Sequence, residues 1–92
     1  MNNILITGAG SGIGAATARL FHQRGWRVGL LDINEAPLAA LAGQLGNAWY
    51  RVVDVTDAAA ASAALADFTG SQEGQLRLLF NCAGILRIGY FE

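Results

Sequence analysis

Four glycines near the N-terminus separate an apolar run from a helical pattern, at the spacing of an anion-binding turn: Gly8, Gly10, Gly12 and Gly14. The apolar run, residues 4–6, predicts a buried strand. Glycine allows positive φ and removes the Cβ atoms that would keep a ligand away from the backbone. The following helix N-terminus presents unpaired N–H groups and the positive end of the helix dipole. The stretch therefore predicts an anion site, and a dinucleotide pyrophosphate fits it.

A later acid strengthens this interpretation. Residues 10–15 satisfy the G-x-G-x-x-A variant of the dinucleotide-binding pattern, whereas counting from Gly8 fails because Ile13 occupies the last slot. Asp32 ends a second apolar run. It lies about 20 residues after Gly12, where a ribose-binding carboxylate is expected. The alternative is that Asp32 only caps the next helix.

Three segments have apolar residues at the spacing of an α-helix that packs one face on a sheet. The face of the first is predicted to consist of Ile13, Ala16, Thr17, Leu20 and Phe21. The face of the second is predicted to consist of Leu38, Leu41, Ala42 and Leu45. The face of the third is predicted to consist of Ala61, Ala64, Leu65 and Phe68. Helix ends are predicted at Gly25 and Gly46, and N-caps at Asn34 and at Thr56 or Asp57.

Apolar runs alternate with these helices and predict four strands, at residues 4–7, 27–32, 48–54 and 76–81. Short links between strands and helices require a parallel sheet with right-handed crossovers. The predicted class is α/β: a doubly wound, partial Rossmann fold with three helices and a parallel sheet of four strands in the order 3-2-1-4. The glycine turn, Asp32, Asp54 and Asn81 then converge at the carboxyl ends of the strands, where a ligand crevice opens.

The composition is that of one small folded domain spanning 1–92, with 53% hydrophobic and 14% charged residues. A net charge of −1 and scattered basic residues argue against nucleic acid as a partner. We expect no membrane partner and a cytoplasmic location, because no leader, long apolar span or basic amphipathic helix occurs. The single cysteine, Cys82, excludes an internal disulfide, and no metal site is expected.

With these residues placed, the chain resembles the N-terminal part of the short-chain dehydrogenases/reductases (SDRs) along essentially its whole length. Residues 7–14 match that family's T-G-x-x-x-G-I-G turn, and residues 54–57 match its acidic adenine motif. Residues 81–84 match its N-N-A-G motif, with Cys82 in place of the second asparagine. We interpret Cys82 as a small buried filler.

The resemblance implies a set of cofactor-binding residues: Gly8, Ser11, Gly12, Ile13, Gly14, Asp32, Ile33, Asp54, Val55, Asn81, Ala83 and Gly84. Within this set, Ser11 and the Ile13 backbone would hold the pyrophosphate, and Asp54 and Val55 the adenine. The last three residues would hold the ribose and form the floor of strand four. Considered alone, Asp54 is equally a turn or N-cap residue. Asn81 could also lock its turn by hydrogen bonds to the backbone.

Asp32 predicts NAD(H) as the cofactor in preference to NADP(H). A carboxylate can accept both ribose hydroxyls of NAD, whereas it meets the 2′-phosphate of NADP charge to charge. Neither Ile33 nor Ser11 offers a compensating cation.

The family's chemistry uses a serine, a tyrosine and a lysine four residues after that tyrosine. This chain contains no lysine, so neither Tyr50 nor Tyr90 has the required partner, and no catalytic residue is predicted. We expect the N-terminal part of a longer enzyme with a small-molecule substrate, inactive as this chain alone. An open edge at strand four predicts that the isolated chain self-associates, docks a complementary fragment, or is part of a longer polypeptide, and we expect a homo-oligomer.

The leading functional hypothesis is the NAD-binding portion of a short-chain oxidoreductase that interconverts an alcohol and a carbonyl by hydride transfer. The alternative is a non-catalytic module that holds NAD or an adenine nucleotide. A third hypothesis is an S-adenosylmethionine methyltransferase, because residues 8–12 also read G-x-G-x-G. That family resemblance would want an acid two residues before the first glycine, where Ile6 stands.

Overall fold

Strands and helices alternate along the chain, which confirms the α/β class. The computed structural model describes residues 2–46, 48–70 and 78–81, the last four by their backbone. The elements in chain order are β1 (Asn3–Thr7), α1 (Gly12–Gln23), β2 (Arg27–Asp32), α2 (Glu35–Gln44), β3 (Trp49–Val52), α3 (Ala58–Thr69) and β4 (Leu78–Asn81). β3 is shorter than the predicted 48–54, since it begins at Trp49 and ends at Val52, although the Val53 N–H still donates to Asp32 O over 2.9 Å.

One parallel sheet brings the carboxyl ends of the strands to a common rim. β2 lies between β1 and β3, and all three run in parallel, as predicted. The backbone of β4 pairs with β1 on its other side, giving the order β3-β2-β1-β4. Thr7 is in register with both Leu31 and Asn81, and Asp32 is in register with Val52. The last residues of all four strands therefore reach the same edge.

Alternate residues of the strands build a core on each face of the sheet. On one face, Ile4, Ile6 and Leu30 pack beneath the predicted apolar face of α2, whose members are buried: Leu38, Leu41, Ala42 and Leu45. On the other face, Leu5 and Leu31 pack beneath the predicted face of α3, also buried: Ala61, Ala64, Leu65 and Phe68. The predicted faces of α2 and α3 are confirmed.

The predicted face of α1 was mostly wrong. Ile13 is 70% exposed and Leu20 is 45% exposed, and Ala16 also lies outside. The helix instead contacts the core through small residues, with Gly14 and Ala18 buried and Ala15 packed beside them, joined by the predicted Phe21. Small residues let the helix approach the sheet closely, so the larger apolar side chains one step around the helix remain outside.

Gly29, in the middle of β2, makes room for the Phe68 ring of α3. A Cβ at Gly29 would lie 2.7 Å from Cε1 of Phe68 and 2.9 Å from Cδ1 of Leu5. Both neighbours are fully buried, and the Arg27 guanidinium covers the Phe68 ring at 4.2 Å from its centroid. The ring therefore has little freedom to move away.

We expect Gly29→Ala to lower the free energy of unfolding by about 1 to 3 kcal/mol through overpacking. Urea unfolding followed by tryptophan fluorescence measures this. The matched control is Gly43→Ala on α2, where the added Cβ meets nothing within 4 Å. The control should be neutral or stabilising, because alanine favours a helix over glycine. Equal stability of both variants would contradict the packing role of Gly29.

Candidate functional site

The glycine turn between β1 and α1 is closed by hydrogen bonds of Ser11. Its hydroxyl donates to Gly8 O over 2.7 Å and accepts from Gly14 N over 3.1 Å, and its N–H donates to Gly8 O over 3.0 Å. Ser11 is thus the N-cap of α1. Of the four glycines, Gly8 alone adopts positive φ, at +66°. The turn therefore needs conformational freedom only at its first glycine.

The other three glycines differ in what a Cβ would meet. At Gly14 it would stand 2.3 Å from Gly8 O, and at Gly10 it would stand 2.7 Å from Asp32 Oδ2. At Gly12 it would meet nothing within 4 Å. Gly12 also begins α1, where the N–H groups of Gly12 and Ile13 have no acceptor within the part of the chain that the structure describes. The turn thus exposes two N–H groups beside a backbone with open space around it.

Asp32 is held at the end of β2 by two backbone donors. Its Oδ2 accepts from Gly10 N over 2.7 Å, and its Oδ1 accepts from Asn34 N over 3.1 Å. The second contact lies immediately before α2, where the Asn34 side chain makes no capping bond. Asp32 therefore does take part in the entry to α2. A carboxylate has about four acceptor sites, so each oxygen can still accept from a ligand.

A cleft of about 170 Å³ opens beside the turn at the carboxyl ends of the strands. It is lined by Gly8, Asp32, Ile33, Val53, Asp54, Val55 and Thr56. Five of these are predicted site residues from three separate motifs, and the structure brings them together. Val53 and Thr56 were missed as lining residues, although Thr56 lies within the acidic motif. The predicted Ser11, Gly12, Ile13 and Gly14 lie in the adjoining turn.

Asp54 is exposed and is held by its neighbour Thr56. Its Oδ1 accepts from the Thr56 hydroxyl over 2.6 Å and from Thr56 N over 3.0 Å. The hydroxyl first, and then the N–H, hold the pKa of the carboxyl below its ordinary value of 3.8. The cap of α3 is Asp57, which accepts from Ala60 N over 3.1 Å, so the other predicted candidate, Thr56, orients Asp54 instead.

We expect Thr56→Val to raise the pKa of Asp54 toward its ordinary value, because the stronger donor is lost. Carboxyl ¹³C chemical shifts followed against pH measure this, and Thr56→Ser, which keeps the hydroxyl, should leave the pKa low. The bonds favour the folded chain above the pKa of the unfolded carboxyl and lose that contribution as pH falls through the folded value. An unchanged pKa in Thr56→Val would show that the hydroxyl has no such effect.

The remaining predicted site residues are Asn81, at the end of β4, and Ala83 and Gly84 after it in the sequence. The backbone of Asn81 pairs with Thr7 and so ends at the same rim. Ala83 and Gly84 lie outside the described residues, as do Cys82 and Tyr90. Gly10 belongs to the glycine motif but was not predicted as a site residue, and its contact with Asp32 is visible only in three dimensions.

A second, larger groove of about 400 Å³ lies at the opposite, amino-terminal edge of the sheet. It is lined by His22, Trp26, Arg27, Val28, Leu45, Ala48 and Trp49. None of the predicted site residues that the structure describes lines it. Among residues 2–46, 48–70 and 78–81, no group of three His, Cys, Asp or Glu side chains could hold a metal ion. Over the same ranges, every helix is too short or too polar to cross a bilayer.

Sequence comparison assigns the chain to a family of known enzymes. Residues 2–92 match the family model for short chain dehydrogenase. D-threitol dehydrogenase of Mycolicibacterium smegmatis is 42% identical over 92 residues, covering 96% of this chain and 35% of that protein. (+)-Borneol dehydrogenase 1 of Salvia officinalis is 42% identical over 83 residues, covering 89% of this chain and 32% of that protein. The chain thus spans about a third of the length of these relatives.

Solved structures agree with this assignment. A short-chain type dehydrogenase/reductase from Mycobacterium ulcerans superposes with a TM-score of 0.82 at 26% identity, covering 91% of this chain and 33% of the other. The 3-ketoacyl-(acyl-carrier-protein) reductase from Brucella melitensis, in complex with NADH, gives 0.76 at 32% identity, covering 85% and 32%. Short-chain dehydrogenases use NAD or NADP as cofactor. The fold, the motifs at its rim and the match over residues 2–92 together show that this chain belongs to the short-chain dehydrogenase family.

Proposed function

We propose that this chain is the NAD-binding portion of a short-chain oxidoreductase that interconverts an alcohol and a carbonyl. The observation that carries the proposal is the cleft beside the glycine turn. Asp32 lines this cleft together with Asp54 and Val55, and it is also hydrogen-bonded to Gly10 of the turn. This arrangement offers donors for a pyrophosphate, acceptors for a ribose and a partly apolar space for a base in one continuous surface.

The residues present fit the pyrophosphate of a dinucleotide. The N–H groups of Gly12 and Ile13, which have no acceptor among the described residues, lie at the positive end of α1. Neither the neighbours nor the φ angle of Gly12 requires a glycine. A glycine at this position has a physical reason if a ligand approaches the backbone closely, because a Cβ would stand in the way of the ligand. The Ser11 hydroxyl already bonds within the turn, so it would act chiefly by holding these donors in place.

Asp32 supports NAD over NADP. It would accept from the two ribose hydroxyls through the lone pairs that its backbone donors leave open. None of the described residues that line the cleft carries a positive charge that could pair with a 2′-phosphate. Asp54, with Oδ2 unpaired among the described residues, and Val55 would then face the adenine.

The cofactor, when bound, supplies hydride transfer, and the residues of this chain bind and orient it. Two relatives are named as dehydrogenases of threitol and of borneol, both alcohols, which supports an alcohol or carbonyl as the small-molecule substrate. A non-catalytic nucleotide-binding module is the second candidate. It is favoured by the cleft, whose described lining residues offer groups for binding a nucleotide on their own.

Calorimetric titration of the chain with NADH, NADPH and S-adenosylmethionine tests the proposal. We expect saturable binding of NADH, binding of NADPH at least about tenfold weaker because of charge repulsion at Asp32, and no binding of S-adenosylmethionine. Binding of S-adenosylmethionine that is tighter than binding of NADH, or no binding of NADH, would contradict the proposal. Oxidation of D-threitol with NAD by the chain alone would exclude the non-catalytic module.

A further inference from the structure

Gly10 makes a close contact with the Asp32 carboxylate, and this contact is not required for forming the turn or for starting α1. Its N–H donates to Asp32 Oδ2 over 2.7 Å, at the short end of the range for a hydrogen bond to a charged acceptor. The φ angle of Gly10 is not positive, so the backbone conformation does not demand glycine. The space does. A Cβ here would lie 2.7 Å from that same Oδ2, 3.3 Å from Asp32 Cγ and 3.3 Å from Pro37 Cγ.

The carboxylate cannot easily move aside from such a Cβ while keeping its contacts. Asp32 is only partly exposed, and its other oxygen is held by Asn34 N over 3.1 Å. The other neighbour of the added Cβ, Pro37, belongs to the first turn of α2, which is anchored in the core by the buried Leu38. An added methyl group would therefore rotate the carboxylate out of its present orientation or push α2 away from the turn.

The same two bonds also remove donors from the cleft. Gly10 N and Asn34 N are the backbone N–H groups that bond to Asp32. A 2′-phosphate in place of the ribose hydroxyl would need donors at this position, and these two are already used. Discrimination against NADPH would thus come from occupied donors as well as from charge repulsion.

We infer that Gly10 is a specificity-determining residue: its missing side chain lets the turn clamp the Asp32 carboxylate in the orientation that accepts a ribose and excludes a 2′-phosphate. Gly10 acts through Asp32 and is a positioning residue. The inference rests on the proposed function, because it assigns Gly10 a role in dinucleotide preference.

The first test needs no nucleotide. In ¹H–¹⁵N spectra of the full chain, the Gly10 amide proton should resonate downfield and exchange slowly with solvent, as expected for a short hydrogen bond to a charged acceptor. In Asp32→Ala the downfield shift and the slow exchange should both be lost. A Gly10 amide that exchanges freely in the unchanged chain, or that is unaffected by Asp32→Ala, would overturn the inference, because the bond to Asp32 would then be absent in solution.

The second test is a double-mutant cycle on NADH and NADPH binding, with Gly10→Ala, Asp32→Ala and the double variant. Gly10→Ala should weaken NADH binding about tenfold, which is the scale of one hydrogen bond to a charged group. It should also reduce the ratio of the dissociation constants for NADPH and NADH. In the Asp32→Ala background the same change should have little effect. Gly43→Ala, a glycine-to-alanine change in open space on α2, should bind as the unchanged chain does.

The outcomes separate the inference from the proposed function. An equal loss caused by Gly10→Ala with and without Asp32 would overturn the inference alone. Failure of the unchanged chain to bind either dinucleotide would overturn the proposed function, and the role of Gly10 in preference with it. Circular dichroism checks that each variant folds, and if Gly10→Ala does not, the exchange and chemical shift of the Gly10 amide decide.

Discussion

Replacing Gly14 with alanine is expected to lower the free energy of unfolding by about 2 to 3 kcal/mol, the upper part of the range for overpacked sites. The added Cβ would stand 2.3 Å from Gly8 O, 2.9 Å from Ala9 Cα and 3.0 Å from Gly8 C. All three are backbone atoms, so no side chain can rotate away to make room. The turn would have to open, and with it the bond from Gly14 N to Ser11 Oγ. Urea unfolding measures the loss.

Gly12→Ala, two residues earlier on the same helix, is the matched control. Its Cβ meets nothing within 4 Å, so stability should be kept or slightly raised by the better helix former. NADH binding should nevertheless weaken, because the methyl group would stand where we propose that the pyrophosphate approaches the backbone. If Gly14→Ala were as stable as Gly12→Ala, the close packing of α1 on the turn would be wrong.

Replacing Asp32 with alanine is expected to weaken NADH binding by about a hundredfold, the scale of losing one or two hydrogen bonds to a charged group. NADPH binding should fall much less or improve, because the charge repulsion disappears and two backbone N–H groups become free. Calorimetric titration of both nucleotides gives the ratio. Asp32→Asn keeps the shape and one acceptor without the charge. Its affinity for NADH should lie between that of the unchanged chain and that of Asp32→Ala.

The same variants must be compared in unfolding, because Asp32 also accepts from Gly10 N and Asn34 N. A modest loss of stability is expected from those two contacts. If Asp32→Ala bound NADH and NADPH with the same preference as the unchanged chain, then Asp32 would serve only the turn and the entry to α2. That is the alternative considered from the sequence.

Hydrophobic periodicity predicted α2 and α3 correctly because their large side chains, such as Leu38 and Phe68, fill the space above the sheet. It failed for α1, where Gly14 and Ala18 make the contact and carry little hydrophobic signal. A close approach between helix and strand depends on residues that are small, and their pattern does not stand out from exposed alanines such as Ala16.

The rim of the candidate site could be predicted because parallel strands place the residues after their carboxyl ends together. Asp32, Asp54 and Gly8 accordingly line one cleft. The bond between Gly10 and Asp32 could not be predicted, because it depends on the angle at which the turn passes β2 and on the carboxylate rotamer. The assignment of adenine and ribose contacts to individual residues stays a prediction, as does homo-oligomeric assembly.

Mapping NADH onto the ¹⁵N-labelled chain tests the central claim most directly. On titration, the amides predicted to shift are those of the turn and the cleft: Gly8, Gly12, Ile13, Asp32, Ile33, Val55 and Thr56. The amides of the groove at the opposite edge, including His22, Trp26 and Val28, should stay in place and serve as the internal reference. Shifts confined to that larger groove, with none at the turn, would contradict the account.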